Sequence, residues 1–211
     1  MIDKIEFQGV VTGIQPRIRL IRSFDQSSHS YLGYALRIQG VIDGLDATFT
    51  LGIGKASHEK NSIERGKYVR GLCVPVDNSL VESVSYYRVS QLTVESRNPE
   101  GGPTTAPPPW YGVPASLDIY RERGARRLAV KTYDASCTDC IWGCCMAVEM
   151  IIDQWNPTHR KYRQETFCYG PKSCPLYRPG PARRVPGRRG MTWVEEDWVD
   201  EQATGHREDD E

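Results

Sequence analysis

Apolar and polar positions alternate through much of the first half of the chain, and the alternation is broken by short polar or glycine-bearing stretches. Residues 5–14 (IEFQGVVTGI) are rich in β-branched side chains and are interrupted by Gly9 and Gly13, which predicts a strand that bends at its glycines. Residues 16–22 (PRIRLIR) alternate charged and apolar and continue that strand, with Arg17, Arg19 and Arg22 on one edge or face. Residues 23–30 are polar, hold Asp25 and His29, and read as a loop. Residues 31–40 (YLGYALRIQG) predict a second strand, Asp43-Gly44 a hairpin turn, and residues 47–54 a third strand. Residues 55–66 (KASHEKNSIERG) have helical composition and end on a glycine. Residues 67–76 and 85–94 predict the fourth and fifth strands.

Five strands in about 95 residues, the first long and glycine-bent, with a helix between the third and fourth, resemble the OB-fold. The resemblance covers residues 5–95 and rests on element order, because this fold carries no diagnostic motif. It implies a small closed barrel that binds oligonucleotides, oligosaccharides or proteins on the face of strands two and three and the flanking loops. On this chain those positions are Tyr31, Tyr34, Arg37 and Phe49, the loop near Asp25 and His29, and the loop from Asp77 to Ser85. Aromatic rings beside arginines suit base stacking and phosphate contact. Two features compete with that expectation: alternation turns every second aromatic into the barrel, and Asp77 and Glu82 make the last loop acidic.

Beyond residue 97 the alternation stops. Residues 98–115 (NPEGGPTTAPPPWYGVPA) have a linker's composition and mark the expected domain boundary. Residues 116–124 predict a short helix capped by Ser116, with Asp118 in its first turn. Residues 128–133 predict a strand. Residues 142–155 (WGCCMAVEMIIDQW) place Val148, Ile151, Ile152 and Trp155 at helical spacing and predict a helix stopped by Asn156-Pro157. Residues 191–200 (MTWVEEDWVD) predict a short amphipathic helix, and the acidic end from Gly205 reads as mobile.

Six of the seven cysteines lie between Cys137 and Cys174. Cys137-x-x-Cys140 points two sulfurs at one ion, and a second pair from later in the chain closes the shell. With the helix above, the first pair sits at a helix N-terminus, and Cys144 and Cys145 are rotated too far apart to bind one ion. Five ligands remain for four places: Cys137, Cys140, Cys144, Cys168 and Cys174. A structural zinc takes Cys137, Cys140, Cys168 and Cys174 most simply. A [4Fe–4S] cluster takes Cys137, Cys140, Cys144 and one or two later cysteines, and Cys174-Pro175 is similar to the ending of some cluster motifs. Cys73 lies in an apolar strand and reads as a core thiol. His159 reads as an exposed histidine, and Asp139, Glu149, Asp153 and Glu165 as surface or helix-face charges. The text CxxCxWGC…ETFCYGPKSCPLY resembles that of an uncharacterised prokaryotic family with the same two-part layout, a resemblance that implies no activity.

The formal net charge is zero, but its distribution is uneven. Residues 1–97 hold 12 basic and 10 acidic side chains, residues 131–190 hold 10 and 5, and residues 191–211 hold 1 and 9. Arg178, Arg183, Arg184, Arg188 and Arg189 are spaced by Pro and Gly, which forbids a helix and predicts an extended arm able to follow phosphates. The competing expectation is a strap whose arginines pair with the acidic tail. There is no apolar run of membrane-spanning length and no signal-like N-terminus, so a cytoplasmic location with reduced thiols is expected. No Ser/His/Asp set, phosphate loop or dinucleotide fingerprint is present.

The expected fold class is therefore mainly β with an α+β C-terminal part. A five-stranded OB-like barrel spans residues 1–97, a Pro/Gly-rich linker 98–115, a small Cys-rich metal-binding module with a basic arm 116–200, and an acidic tail 201–211. The expected function is metal-stabilised binding of single-stranded RNA or DNA. The nucleic-acid contacts expected are Arg17, Arg19, Arg22, Tyr31, Tyr34, Arg37, Arg178, Arg183, Arg184, Arg188 and Arg189. Protein–protein assembly and an iron–sulfur redox or sensing role are the alternatives.

Overall fold

The structure is a computed structural model and describes residues 4–95, 108–156 and 158–208. Its organising element is β1 (Ile5–Arg22), an 18-residue strand. From Phe7 to Arg22 β1 pairs antiparallel with β2 (Ser27–Ile42). Its first third also pairs with β4 (Tyr68–Pro75), and its last residues pair in parallel with β7 (Gly143–Ile151). One strand can serve three partners only by bending, and the register slips between Val11 and Gly13 and again between Arg17 and Ile18. The bend expected at Gly13 is thus present.

The Asp43-Gly44 turn joins β2 to β3 (Leu45–Ile53), with both turn residues at positive φ (51° and 77°), as a tight right-twisted hairpin requires. Helix α1 (Lys55–Asn61) follows and stops at Ser62, which takes the left-handed conformation, so the helix is shorter than its composition predicts. β4 then pairs with β5 (Tyr86–Glu95), and β5 touches β3 through the parallel pair Leu51 and Tyr86. The order β1-β2-β3-β5-β4 therefore returns to β1 and partly closes the sheet into a ring. Phe7, Val11, Leu36, Ile38, Leu51 and Val69 fill its interior. Gly33 is fixed by this packing: its φ is +132° and an added Cβ would lie 2.1 Å from the Ile53 carbonyl oxygen. Gly33→Ala will lower stability by about 1–3 kcal/mol, read as a lower urea midpoint with unchanged slope.

From β1 the sheet continues outward through β7 and β8 (Arg160–Cys168) to the two-residue β6 (Arg126–Arg127). Met146, Val148 and Phe167 belong to the same buried cluster as the ring interior, so the two halves of the chain share one sheet and one core. The helix expected over residues 142–155 is a correction: the segment is β7 and the hairpin turn after it. Nearly every residue of the run is apolar, and such a run suits a strand buried on both faces as well as a helix. The parallel edge of β1 and the antiparallel edge of β8 decide between them.

Helix α2 (Leu117–Arg123) forms where predicted, after Ser116. The strand expected over 128–133 is a helical turn instead, α3 (Val130–Thr132), continued by a wider turn over Tyr133–Cys137. The extended arm holds β9 (Arg183–Pro186), which pairs with β10 (Thr192–Glu195), and α4 (Asp197–Thr204) follows. The helix expected over 191–200 is therefore a strand that passes into a helix. Most of the expected linker, and the last three residues of the acidic tail, fall outside the described residues. Among the described residues no helix is long and apolar enough to cross a membrane.

Candidate metal centre

The Cys137–Cys140 loop is held against the ring by one buried amide. Gln15 of β1 donates from Nε2 to the carbonyl oxygens of Cys137 (2.7 Å) and Cys140 (3.0 Å), and its Oε1 accepts the Tyr133 hydroxyl at 2.7 Å. Gly13 leaves room beside it, since a Cβ there would stand 2.8 Å from Cα of Asp139. Within the loop, Cys140 N–H bonds the Cys137 carbonyl and Gly143 N–H bonds the Cys140 carbonyl. Cys137 thus ends a helical turn rather than preceding a helix, which corrects the expected N-terminal placement.

Cys168 closes β8 opposite Gly143, and Cys174 sits in the turn that follows. These four cysteines line one cavity of about 10 Å³, together with Trp110 and Tyr177. Its walls are almost wholly apolar, so a thiolate there lacks water. Burial pushes the Cys137 thiol up to about 12, and the neighbouring Cys140, Cys168 and Cys174 add to the rise. Burial likewise lifts Cys140 to about 11, against backbone amides of Trp142, Trp110 and Gly143 that pull it down. Cys168 is raised by burial and pulled back by the Gly170 N–H, which reaches its Sγ at 3.3 Å, and by Arg126. Arg126 is buried under the Tyr177 ring, 4.0 Å from its centroid, and its Nε has no hydrogen-bond partner among the described residues.

As the side chains stand, no three His, Cys, Asp or Glu groups among the described residues are arranged to hold a metal ion. Four thiols face a single small cavity, amide N–H groups point at two of them, and a buried guanidinium stands ready for net negative charge.

Cys144 does not join them, which corrects its place among the candidate ligands. Strand alternation turns it into the core, where its Sγ donates to the Pro16 carbonyl at 3.3 Å. The next residue, Cys145, faces the other way, toward Gln164 and a small cavity beside Gly13 and Arg37. Cys73 is the buried core thiol expected, and burial raises it to about 11. His159 is exposed.

The residues expected to contact nucleic acid divide into spent and available ones. Arg17 and Arg19 both bond Glu82, at 2.7 Å each, and Gln164 fastens the same loop through the Ser79 and Glu82 carbonyls. Arg37 faces Asp139 at 3.6 Å. The Cys137–Cys140 segment thus meets β2 at Arg37, and the loop that holds Glu82 meets β3 where Ser85 bonds Thr50. Three residues are buried and are corrections to the expected surface: Tyr34, Arg22 and Arg183. Tyr34 stacks on His58 with ring centroids 4.2 Å apart, and Phe49 packs inside between Phe7 and Tyr86. Tyr31 lies half-buried under the Arg121 guanidinium. Arg178 is exposed and donates to the Pro175 and Tyr177 carbonyls. Arg184, Arg188 and Arg189 are exposed.

Two features escaped sequence reasoning. One is Gln15, whose role has no sequence signal because it depends on a loop more than a hundred residues away. The other is the buried ion cluster of Arg22, Glu165, Arg183 and Glu195, in which Glu165 is no surface charge but a core residue. No protein-family model, curated protein or solved structure matches the chain.

Proposed function

We propose that the chain is a metal-stabilised nucleic-acid-binding accessory protein, in which Cys137, Cys140, Cys168 and Cys174 hold a structural zinc and a ring of strands carries the rest. We read the ring as an OB-like barrel. Its order β1-β2-β3-β5-β4, with α1 between β3 and β4, supports this reading. Zinc is preferred to a [4Fe–4S] cluster because Cys-x-x-Cys is the commoner zinc spacing and Cys144, the further ligand a cluster would recruit, is turned into the core. The metal's part is to hold the loop, the end of β8 and the following turn together.

The observation that carries nucleic-acid binding is which cations are left over. The arginines of β1 and many of the C-terminal part are neutralised inside the molecule, while Arg184 and Arg189 are exposed without an ion pair among the described residues. An uncompensated basic surface is the electrostatic footprint of a polyanion partner. The test is fluorescence anisotropy of the metal-loaded protein with labelled oligo(dT) and oligo(U) over a salt series. Binding that weakens linearly in log–log form supports the reading, and no binding at low salt removes it. A protein-adaptor role is favoured by one other observation: Met191, Val194 and Trp198 are exposed apolar residues close together in sequence. Capture of a protein partner with no oligonucleotide binding supports that role instead.

A further inference from the structure

The turn between β7 and β8 and the segment after β9 meet on one face. Asp153 ties them together: its Oδ1 accepts the Trp155 backbone N–H at 3.0 Å, and its Oδ2 pairs with Arg188 Nε at 3.4 Å. A second tie lies along the strands, where Arg163 Nη1 donates to the Arg184 carbonyl at 2.9 Å. Alternation sends Lys161 and Arg163 to the same side of β8 as Glu165, the side on which Glu165 meets Arg183 of β9. Lys161, Arg163, Arg188 and Arg189 therefore border this turn, Arg184 projects from the side of β9 opposite Arg183, and Trp155 stands at the tip, 76% exposed.

The charges of this face are not balanced within it. Glu165 is buried and committed to Arg22, Arg163 and Arg183. Asp153 pairs with Arg188 alone among these cations. Lys161, Arg184 and Arg189 are exposed with no ion pair among the described residues. The acidic helix α4 does not supply one, since its Asp197 and Asp200 pair with Arg127. Arg189 also holds a left-handed backbone (φ 57°), which side-chain-bearing residues seldom adopt.

We propose, resting on the nucleic-acid reading above, that this face is where the chain binds a single strand. Lys161 and Arg189 meet phosphates, and the Trp155 indole stacks on an unpaired base. An exposed indole among cations is what sequence-tolerant single-strand binding uses, because every base offers a π-face. A duplex keeps its bases stacked and offers the indole no such face.

The test uses the full-length, metal-loaded protein with fluorescein-labelled oligo(dT), oligo(U) and a polyglutamate peptide, read by anisotropy over a salt series. The double variant Lys161→Gln/Arg189→Gln will reduce the slope of log K against log salt by about 1.4, roughly 0.7 for each phosphate no longer neutralised. Trp155→Ala will weaken binding about ten-fold at fixed salt with the slope unchanged. These side chains are exposed, so metal content and thermal midpoint will stay as in the parent protein. If the parent binds the oligonucleotides and these variants bind equally well, the face is wrong and the nucleic-acid reading stands on other residues. If the parent binds neither oligonucleotide at low salt, both fail. Equal binding of polyglutamate, weakened by the same double variant, overturns the proposal by showing a surface that reads charge alone.

Discussion

Purified without oxygen, the protein will carry one zinc ion per chain, show no visible absorption, and lose stability sharply when a strong chelator removes the metal. The expected loss follows from what the four cysteines join. Cys137 and Cys140 lie in a loop that lands on β1 through Gln15, Cys168 ends β8, and Cys174 begins the arm. Without the metal, four cysteines line an apolar cavity, and the hydrogen bonds of Gln15 and of the β7–β8 ladder remain to hold the loop to the strand end. Loss of a structural metal is among the few single changes that cost more than about 4 kcal/mol. In a chain of this size that is a fall of about 8–16 °C in thermal midpoint. Cys137→Ser and Cys168→Ser will each reproduce most of the chelator's effect and lower zinc occupancy. Cys145→Ser will do neither, because Cys145 lies on the opposite face of β7. A broad absorption near about 400 nm with about four irons per chain would replace zinc with a cluster. Full stability and no metal of any kind would remove the centre.

How much of this was legible beforehand depends on the range of the interactions involved. The first five strands, α1 and the Asp43-Gly44 hairpin follow from alternation and turn chemistry, which are local. Spacing offered Cys137, Cys140, Cys168 and Cys174 as one of two ligand sets, and these four line one cavity. The segment holding Cys144 was not. Its apolar residues fit a helix or a doubly buried strand equally, and the deciding partners are β1, about 125 residues earlier, and β8. That one misreading carried others with it: as helix residues Cys144 and Cys145 differ by a partial rotation, whereas as strand residues they face opposite sides. The same limit explains the basic candidates. Composition shows that arginines are numerous, but only the fold shows that Arg17 and Arg19 meet Glu82 and that Arg22 and Arg183 are interior.

The interior charges give the second large effect: Glu165→Gln will destabilise the protein by about 3–5 kcal/mol. Glu165 is only 4% exposed and receives Arg22 at 3.0 Å, Arg183 at 2.6 Å and Arg163 beside them. Glu195 takes the other end of Arg22 at 2.9 Å. Two buried guanidinium groups, Arg22 and Arg183, and the part-exposed Arg163 thus share two carboxylates, and removing one carboxylate leaves buried positive charge with a single anion. The cluster joins the end of β1 to β8, β9 and β10, so its loss loosens the face that carries the free arginines as well as the core. A change of the same kind at an exposed pair, Glu59→Gln beside Lys55, will stay within about 0.5 kcal/mol. Replacing both partners, Arg22→Met with Glu165→Met, will cost less than the two single changes summed, because the cluster then loses one charge of each sign and its net charge is unchanged. Urea unfolding of the four proteins in a double-mutant cycle measures this directly. A single Glu165→Gln effect no larger than that of Glu59→Gln would show that water reaches the cluster and that these charges do not hold the strands together.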